Sequence, residues 1–302
     1  MEAKFANIRF ARDITEIPMP GIISKAPEKV LNWYINKFLP YAIKDVGICD
    51  LSGYEIILPV VSAENAGLLA KITEKVKADC EELNVKAVSV ESGIRVEGFF
   101  TADGNMVKAF FIKPVIDKYL KAAKINPAQA EIIVIEGSGD YTGSIVYYIY
   151  GKFNYLGIIL EGSEQADYEE LAAEIFDDCG LNINFGRRGS FLLKEADIII
   201  NLSASPKGYE SFYKKGSCYI ELSGGEGRLR DILIKRGDML AIDKWSLEYG
   251  GEKLSLAQYE IATYLEIPDF AKYASSKNKE KYFTQAAKSI EKQNIKIRGL
   301  NI

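Results

Sequence analysis

The chain has 302 residues, 48 % hydrophobic and 26 % charged, a globular composition long enough for about two domains of ~150 residues each. Its net charge of −4 supplies no positive field for phosphate backbones, which argues against nucleic acid as a main partner. No run approaches the ~20 apolar residues of a spanning helix, and the opening MEAKFANIRFARDITEIPMP lacks a signal-type apolar core, so a cytoplasmic protein with no membrane role is expected.

The first half reads as a small α/β unit. Pro27 to Ala42 is expected to be a helix, with Ser24 as its cap, Pro27 in its first turn, and Val30, Leu31, Tyr34, Phe38 and Leu39 at helical spacing. A strand over Glu55 to Val61 follows. Next comes a helix from Glu64 to Leu83, with Leu68, Leu69, Ile72, Val76 and Cys80 on one face. The stretch VKAVSVESGIRVEGFFTADG, residues 85–104, reads as strand, turn and strand in a hairpin, leading to the lone carboxylate of Asp103. Asn105 to Lys124, interrupted by Pro114, makes the crossing helix into a second domain.

From there strands and helices alternate: AEIIVIE, GIIL, LNINF, ADIIINLS, SCYIELS and DMLAID, with a helix over 165–179 and another from Arg228 to Arg236. Six short apolar strands with crossovers describe a doubly wound parallel sheet buried on both faces, the Rossmann pattern. The fold class is α/β, with an N-terminal substrate-type domain over 1–105 and a Rossmann-type domain over 106–270. The helices of 254–302 are assigned to pack back on the first domain. In the tail, Tyr282, Phe283, Ala286, Ala287 and Ile290 form an apolar stripe read as packing.

Four cysteines, Cys49, Cys80, Cys179 and Cys218, stand far apart without a C-x-x-C pair, so four reduced, mostly buried thiols are expected and no metal site. The chain has no histidine, which removes Ser-His-Asp and Cys-His schemes. Proton transfer falls to Lys, Asp, Glu, Tyr or Cys.

The first chemical candidate is the turn after AEIIVIE, with Gly137, Gly139 and Gly143 between strand and helix. Its glycines would let the backbone approach a pyrophosphate at a helix N-terminus, although the spacing is GxGxxxG and Glu136 and Asp140 bring like charge to that place. A merely structural turn is the alternative. Glu161 ends the second strand 24 positions after Gly137, near the ~20-residue offset at which an acid grips a ribose diol. It would accept both hydroxyls of NAD and repel the 2′-phosphate of NADP; a solvated loop carboxylate is the alternative. Arg187 and Arg188 are candidates for a phosphate, and Ser203 sits in the small-residue loop after the fourth strand.

These motifs resemble the shikimate dehydrogenase family. Residues 85–104 are similar to its GAVNT hairpin followed by GxNTDG, and ADIIINLSASPKG, residues 196–208, resembles ADLIINATPxG beside the nicotinamide. Ser24-Lys25-Ala26-Pro27 resembles the SxSP substrate clamp with Ala26 in place of the second serine. Gly53 to Val61 lies over GxNVTxPxK, keeping Gly53 and Pro59 and placing Val61 at the catalytic lysine. Lys244 to Gly251 resembles the segment that supplies a substrate-binding glutamine, with Gly250 at that position, and Glu161-Gly162-Ser163 stands where the family often shows Asn-Arg-Thr for NADP.

The resemblance implies a diverged homologue: a protein binding NAD, with NADP or no cofactor as alternatives, that oxidises or reduces a small molecule other than shikimate in a cleft between its domains. Asp103 would be the catalytic acid or base, or else only a turn residue; Ser24 and Tyr249 would touch substrate; and another amine, Lys71 or Lys113, would replace the missing lysine. The alternative is a catalytically silent metabolite sensor or scaffold. The oligomeric state stays open.

Overall fold

A computed structural model describes residues 2–60, 66–137, 140–204, 208–223, 226–276, 280–293, 295–298 and 300. The chain divides into two compact units, Met1–Gly104 with Ala257–Pro268, and Asn105–Leu256 with Asp269–Ile302.

In the first unit, β1 (Lys4–Phe10), α1 (Gly21–Ser24), α2 (Glu28–Phe38), β2 (Ala42–Ile48), β3 (Leu51–Leu58), α3 (Ala66–Glu82), β4 (Val85–Val90) and β5 (Phe100–Thr101) follow in order. They build a sheet of order β2-β3-β1-β4-β5, with β2 antiparallel to β3 and the other pairs parallel. Alternate residues of β1, β3 and β4, among them Ile8, Ile56 and Val88, join Ile72, Val76 and Cys80 of α3 in one core.

Several local expectations are corrected here. The first long helix ends at Phe38, not Ala42, because Leu39 precedes Pro40 and takes a left-handed conformation, φ 46. Ser24 does not cap it: Ser24 closes α1, its hydroxyl donating to the Gly21 carbonyl at 3.0 Å, and Pro27 stands at the cap position with no side-chain bond. Residues 85–104 are not a hairpin, since β5 runs parallel to β4. The chain reverses twice in between, at Gly93 (φ 92) and Gly98 (φ 96), burying Ile94 and Val96 on the way. Strands β1 and β2, which the sequence pattern does not announce, lie at the centre and the edge of this sheet.

The second unit opens with α4 (Asn105–Lys108), a 3-10 turn (Ala109–Phe111) and α5 (Ile112–Ala123). Pro114 falls in the first turn of α5, where its missing N–H costs no helical bond. Then come β6 (Glu131–Ile135), α6 (Asp140–Ile149), β7 (Tyr155–Ile159), α7 (Glu169–Cys179), β8 (Ile183–Gly186), α8 (Leu192–Glu195), β9 (Ile198–Asn201), β10 (Cys218–Glu221), α9 (Glu226–Lys235) and β11 (Leu240–Ile242). These six strands pair in parallel in the order β11-β10-β9-β6-β7-β8, which is the Rossmann order. The chain reverses its direction of winding between β6 and β9, so the crevice of the fold lies beyond their carboxyl ends.

After the sheet, β12 (Ser246–Tyr249) and β13 (Glu252–Leu254) form a hairpin whose turn residues, Gly250 (φ 58) and Gly251 (φ 84), both need positive φ. α10 (Leu256–Glu266) joins the first unit, where Tyr264 stacks on Phe100 at 4.0 Å between centroids. α11 (Pro268–Ser275), α12 (Glu280–Glu291) and β14 (Lys296–Arg298) belong, from Asp269 on, to the second unit, and β14 pairs with β12. The tail stripe packs inward: Phe283, Ala286, Ala287 and Ile290 are buried, with Phe283 against Phe110 and Tyr273.

Candidate functional site at the sheet switch point

Gly137 follows β6 at the switch point and is required there by close approach. A Cβ on it would stand 2.4 Å from the Leu202 carbonyl oxygen and 2.8 Å from the Leu202 Cβ, so no side chain fits without moving backbone. Its N–H donates to the Thr142 Oγ1 at 3.1 Å, and Thr142 is fully buried, so the turn is closed from within by the helix that follows. Gly143 is buried in α6. Gly139 lies outside the described residues.

Glu136, one residue past β6, is nearly inaccessible at 2 % exposure and points away from the glycine turn, into the loop after β7. Its carboxylate accepts the N–H groups of Glu161, Gly162 and Ser163 at 2.6, 2.9 and 3.2 Å and the Tyr168 hydroxyl at 2.7 Å. Burial pushes this carboxyl up, but the bonds from Ser163, Gly162, Tyr168 and Glu161 outweigh it and hold it down at about 2. The charge that threatened a pyrophosphate in the sequence thus stays ionised, but it is turned into a nest of backbone donors that stabilise it.

Glu161 and Ser203, 42 positions apart, are brought together: the Ser203 hydroxyl donates to Glu161 at 3.1 Å. The Tyr209 hydroxyl donates to the other oxygen of the same carboxylate, and burial together with that bond pushes the Tyr209 phenol well above its ordinary value. One strand further, Glu221 ends β10 at 1 % exposure and accepts from the Asn201 amide at 3.0 Å, the Tyr219 hydroxyl at 3.0 Å and the Ser223 N–H at 2.7 Å. The carboxyl ends of β6, β7, β9 and β10 therefore present Glu136, Glu161, Asn201 and Glu221, each held by protein donors. Sequence reasoning passed over Glu221, Tyr209 and the partners of Glu136; the available signal was a carboxylate placed directly after an all-apolar strand, as in EIIVIE and CYIE. Of the two arginines nearby, Arg187 pairs with Glu164 at 2.8 Å, and Arg188 lies over Gly208, where an added Cβ would meet its guanidinium at 2.4 Å.

The remaining candidates fall elsewhere. Asp103 is exposed in the loop between β5 and α4, followed by Gly104 at φ 84. Ser24 and Asp103 belong to the first unit and Tyr249 to the second, where Gln293 donates to the Tyr249 hydroxyl at 3.3 Å. Lys71 is exposed on α3, and the Lys113 amine sits 4.1 Å over the Tyr148 ring. Val61 lies outside the described residues. Cys80 and Cys218 are buried, whereas Cys49 is half-buried and Cys179 exposed. Among the described residues no cluster of three or more His, Cys, Asp or Glu is placed to hold a metal ion, and no helix is long and apolar enough to cross a membrane.

The α/β architecture with a Rossmann sheet is the class that this strand order defines. No protein-family model matches the chain, and no curated protein does. Among solved structures it is similar to L-tryptophan dehydrogenase from Nostoc punctiforme, at 9 % identity and TM-score 0.39 over 94 % of this chain and 79 % of that one. Shikimate 5-dehydrogenase from Listeria monocytogenes, solved with shikimate and NAD, matches at 10 % identity and TM-score 0.35 over 94 % and 96 %. The 5-ketofructose reductase of a Gluconobacter species matches at 14 % and 0.37 over 96 % and 99 %. Similarity of this size carries no argument about activity; the fold assignment rests on the strand order itself.

Proposed function

We propose that the second unit binds NAD at the switch point and that the protein is an oxidoreductase acting on a small molecule other than shikimate. The observation that carries this reading is the place of the Glu161 carboxylate, just past β7 beside the switch point, where the two hydroxyls of a ribose would replace those of Ser203 and Tyr209 as its donors. Gly137 supports it by keeping the β6 turn free of a side chain, and the Glu136 carboxylate supports it by spending its charge on the 161–163 N–H groups. When bound, the nicotinamide would exchange a hydride with the substrate. Asp103 would hold or move the accompanying proton, and Ser24 and Tyr249 would contact substrate. Ala26, Val61 and Gly250 stand where the resembled family places hydrogen-bonding groups, and losing several such bonds at about 1–3 kcal/mol each argues against shikimate.

Titration of the intact chain with NAD and NADP tests the reading. NAD is expected to bind at least tenfold more tightly than NADP, and Glu161→Ala to remove that preference. No measurable binding of either at millimolar concentration would overturn it, and turnover of shikimate with NADP would show that the motif correspondence is shifted.

A second reading, a catalytically silent metabolite sensor or scaffold, is favoured by one observation: the 161–163 N–H groups and the Glu161 carboxylate are all engaged by the protein's own side chains. It predicts that the chain binds a metabolite but no dinucleotide.

A further inference from the structure

A cavity of about 790 Å³ opens in the second unit beside α5, the end of α6, the end of α12 and β14. It shares no lining residue with the switch point, and its chemistry is independent of the cofactor reading. Its apolar wall is made by Phe110, Phe111, Ile290 and Ile297, each at least nine-tenths buried. The polar wall is cationic. Lys152 pairs with Asp117 at 2.7 Å, Lys296 and Arg298 share the single carboxylate of Glu248 at 3.5 and 2.9 Å, and Lys118 donates to the Ile297 carbonyl at 2.7 Å. Lys113 lies over the ring of Tyr148, whose hydroxyl donates to Glu291 at 2.8 Å. Among the described residues, five cations thus line the cavity with two carboxylates, Asp117 and Glu291, and the Glu248 carboxylate outside the lining is shared by two of those cations.

We propose that this cavity binds a small organic anion with a planar apolar body, its charge set among Lys113, Lys152 and Arg298 and its body against Phe110 and Ile297. The volume is that of an ordinary small-molecule site, about 300–1,000 Å³. An anion would supply the charge that the cationic wall lacks, and the aromatic and aliphatic surface would supply contact area without further polar demands. Burial pulls the Lys113 ammonium below its ordinary value, with Lys152 adding to the effect and Glu291 and Asp117 opposing it. An arriving anion would reverse that penalty, so the site is built to gain from negative charge. The same environment leaves the amine more readily unprotonated than an exposed lysine, which provides a chemical reporter of occupancy.

Pyridoxal 5′-phosphate serves as the probe, because it carries an anion, a planar ring and an aldehyde. Seated with its aldehyde near Lys113, it would be attacked at the carbonyl carbon by the unprotonated amine, water would leave, and borohydride would then deliver hydride to fix the imine as a secondary amine. Peptide mapping after one equivalent of probe is expected to place most of the label on Lys113. Millimolar benzoate or inorganic phosphate should reduce that labelling, benzoate more strongly because its ring meets the apolar wall, and Lys152→Met or Arg298→Met should lower it at least threefold. Label spread over exposed lysines such as Lys71 and Lys86, or labelling of Lys113 indifferent to both anions, would overturn the proposal. The competition arm uses the wild-type chain, so misfolding of a variant does not shield it. NAD affinity measured with the site blocked should be unchanged, which separates this outcome from that of the cofactor reading.

Discussion

Replacing Glu136 by Gln tests the internal bracing of the switch point. The native carboxylate is 2 % exposed, accepts three N–H groups and one hydroxyl, and sits at about 2 where its ordinary value is 4.5. A folded value below the unfolded one stabilises the protein above pH ~4.5, and that contribution is lost as pH falls toward ~2. A tenfold change in proton affinity corresponds to ~1.4 kcal/mol, so the group contributes about 3 kcal/mol at neutral pH. Glutamine keeps one acceptor oxygen but turns an NH₂ toward backbone donors, so it forfeits most of this. The variant should be about 3 kcal/mol less stable at pH ~7, a fall of roughly 6–12 °C in Tm, and the gap should narrow by about half as the pH is lowered to ~3. Thermal unfolding of both proteins followed by circular dichroism across this range provides the measurement. The informative quantity is the difference between the two curves, because other carboxylates with lowered values, such as Glu16, titrate equally in both proteins. A difference that stays constant from pH ~7 to ~3, or that is below ~0.5 kcal/mol throughout, would refute the reasoning.

Gly137→Ala should destabilise by about 1–3 kcal/mol through overpacking against the Leu202 backbone, while Gly162→Ala, with nothing within 4 Å of an added Cβ, should be near neutral; equal urea midpoints for the two variants would contradict this. Burial pushes the Cys80 and Cys218 thiols up to about 12, so iodoacetamide at pH ~8 should label exposed Cys179 in the native protein and reach Cys80 and Cys218 only on unfolding. Rapid native labelling of Cys80 would show that the core of the first unit opens readily.

Much of the second unit was legible in the chain because a strand buried on both faces has to be apolar throughout. IIVI, GIIL, DIIIN and CYIE could only be interior strands, and crossovers between them allow little but a parallel sheet. The tail stripe was equally readable, since side chains at helical spacing bury one face wherever the helix docks. The direction of β5 was not legible, because pairing direction depends on how many times the intervening chain reverses, which Gly93 and Gly98 decide through backbone angles and not through composition. Nor was β2, which as an edge strand carries too many exposed residues to show an apolar run.

The amino-acid order by itself determined the α/β class, the Rossmann sheet and the residue types available for chemistry, above all the want of any imidazole. Only the tertiary structure decided what those residues do. Glu136 is a threat to a phosphate when read beside Gly137, and a satisfied brace when β7 ends with three N–H groups aimed at it. Glu161, Ser203 and Tyr209 carry no shared signature in sequence and converge because β7 and β9 both end at one edge of the sheet. Local propensity acts over a few residues, whereas a carboxylate's charge state and partners are set by donors 25 to 48 positions away, and only the folded chain brings those within hydrogen-bonding distance.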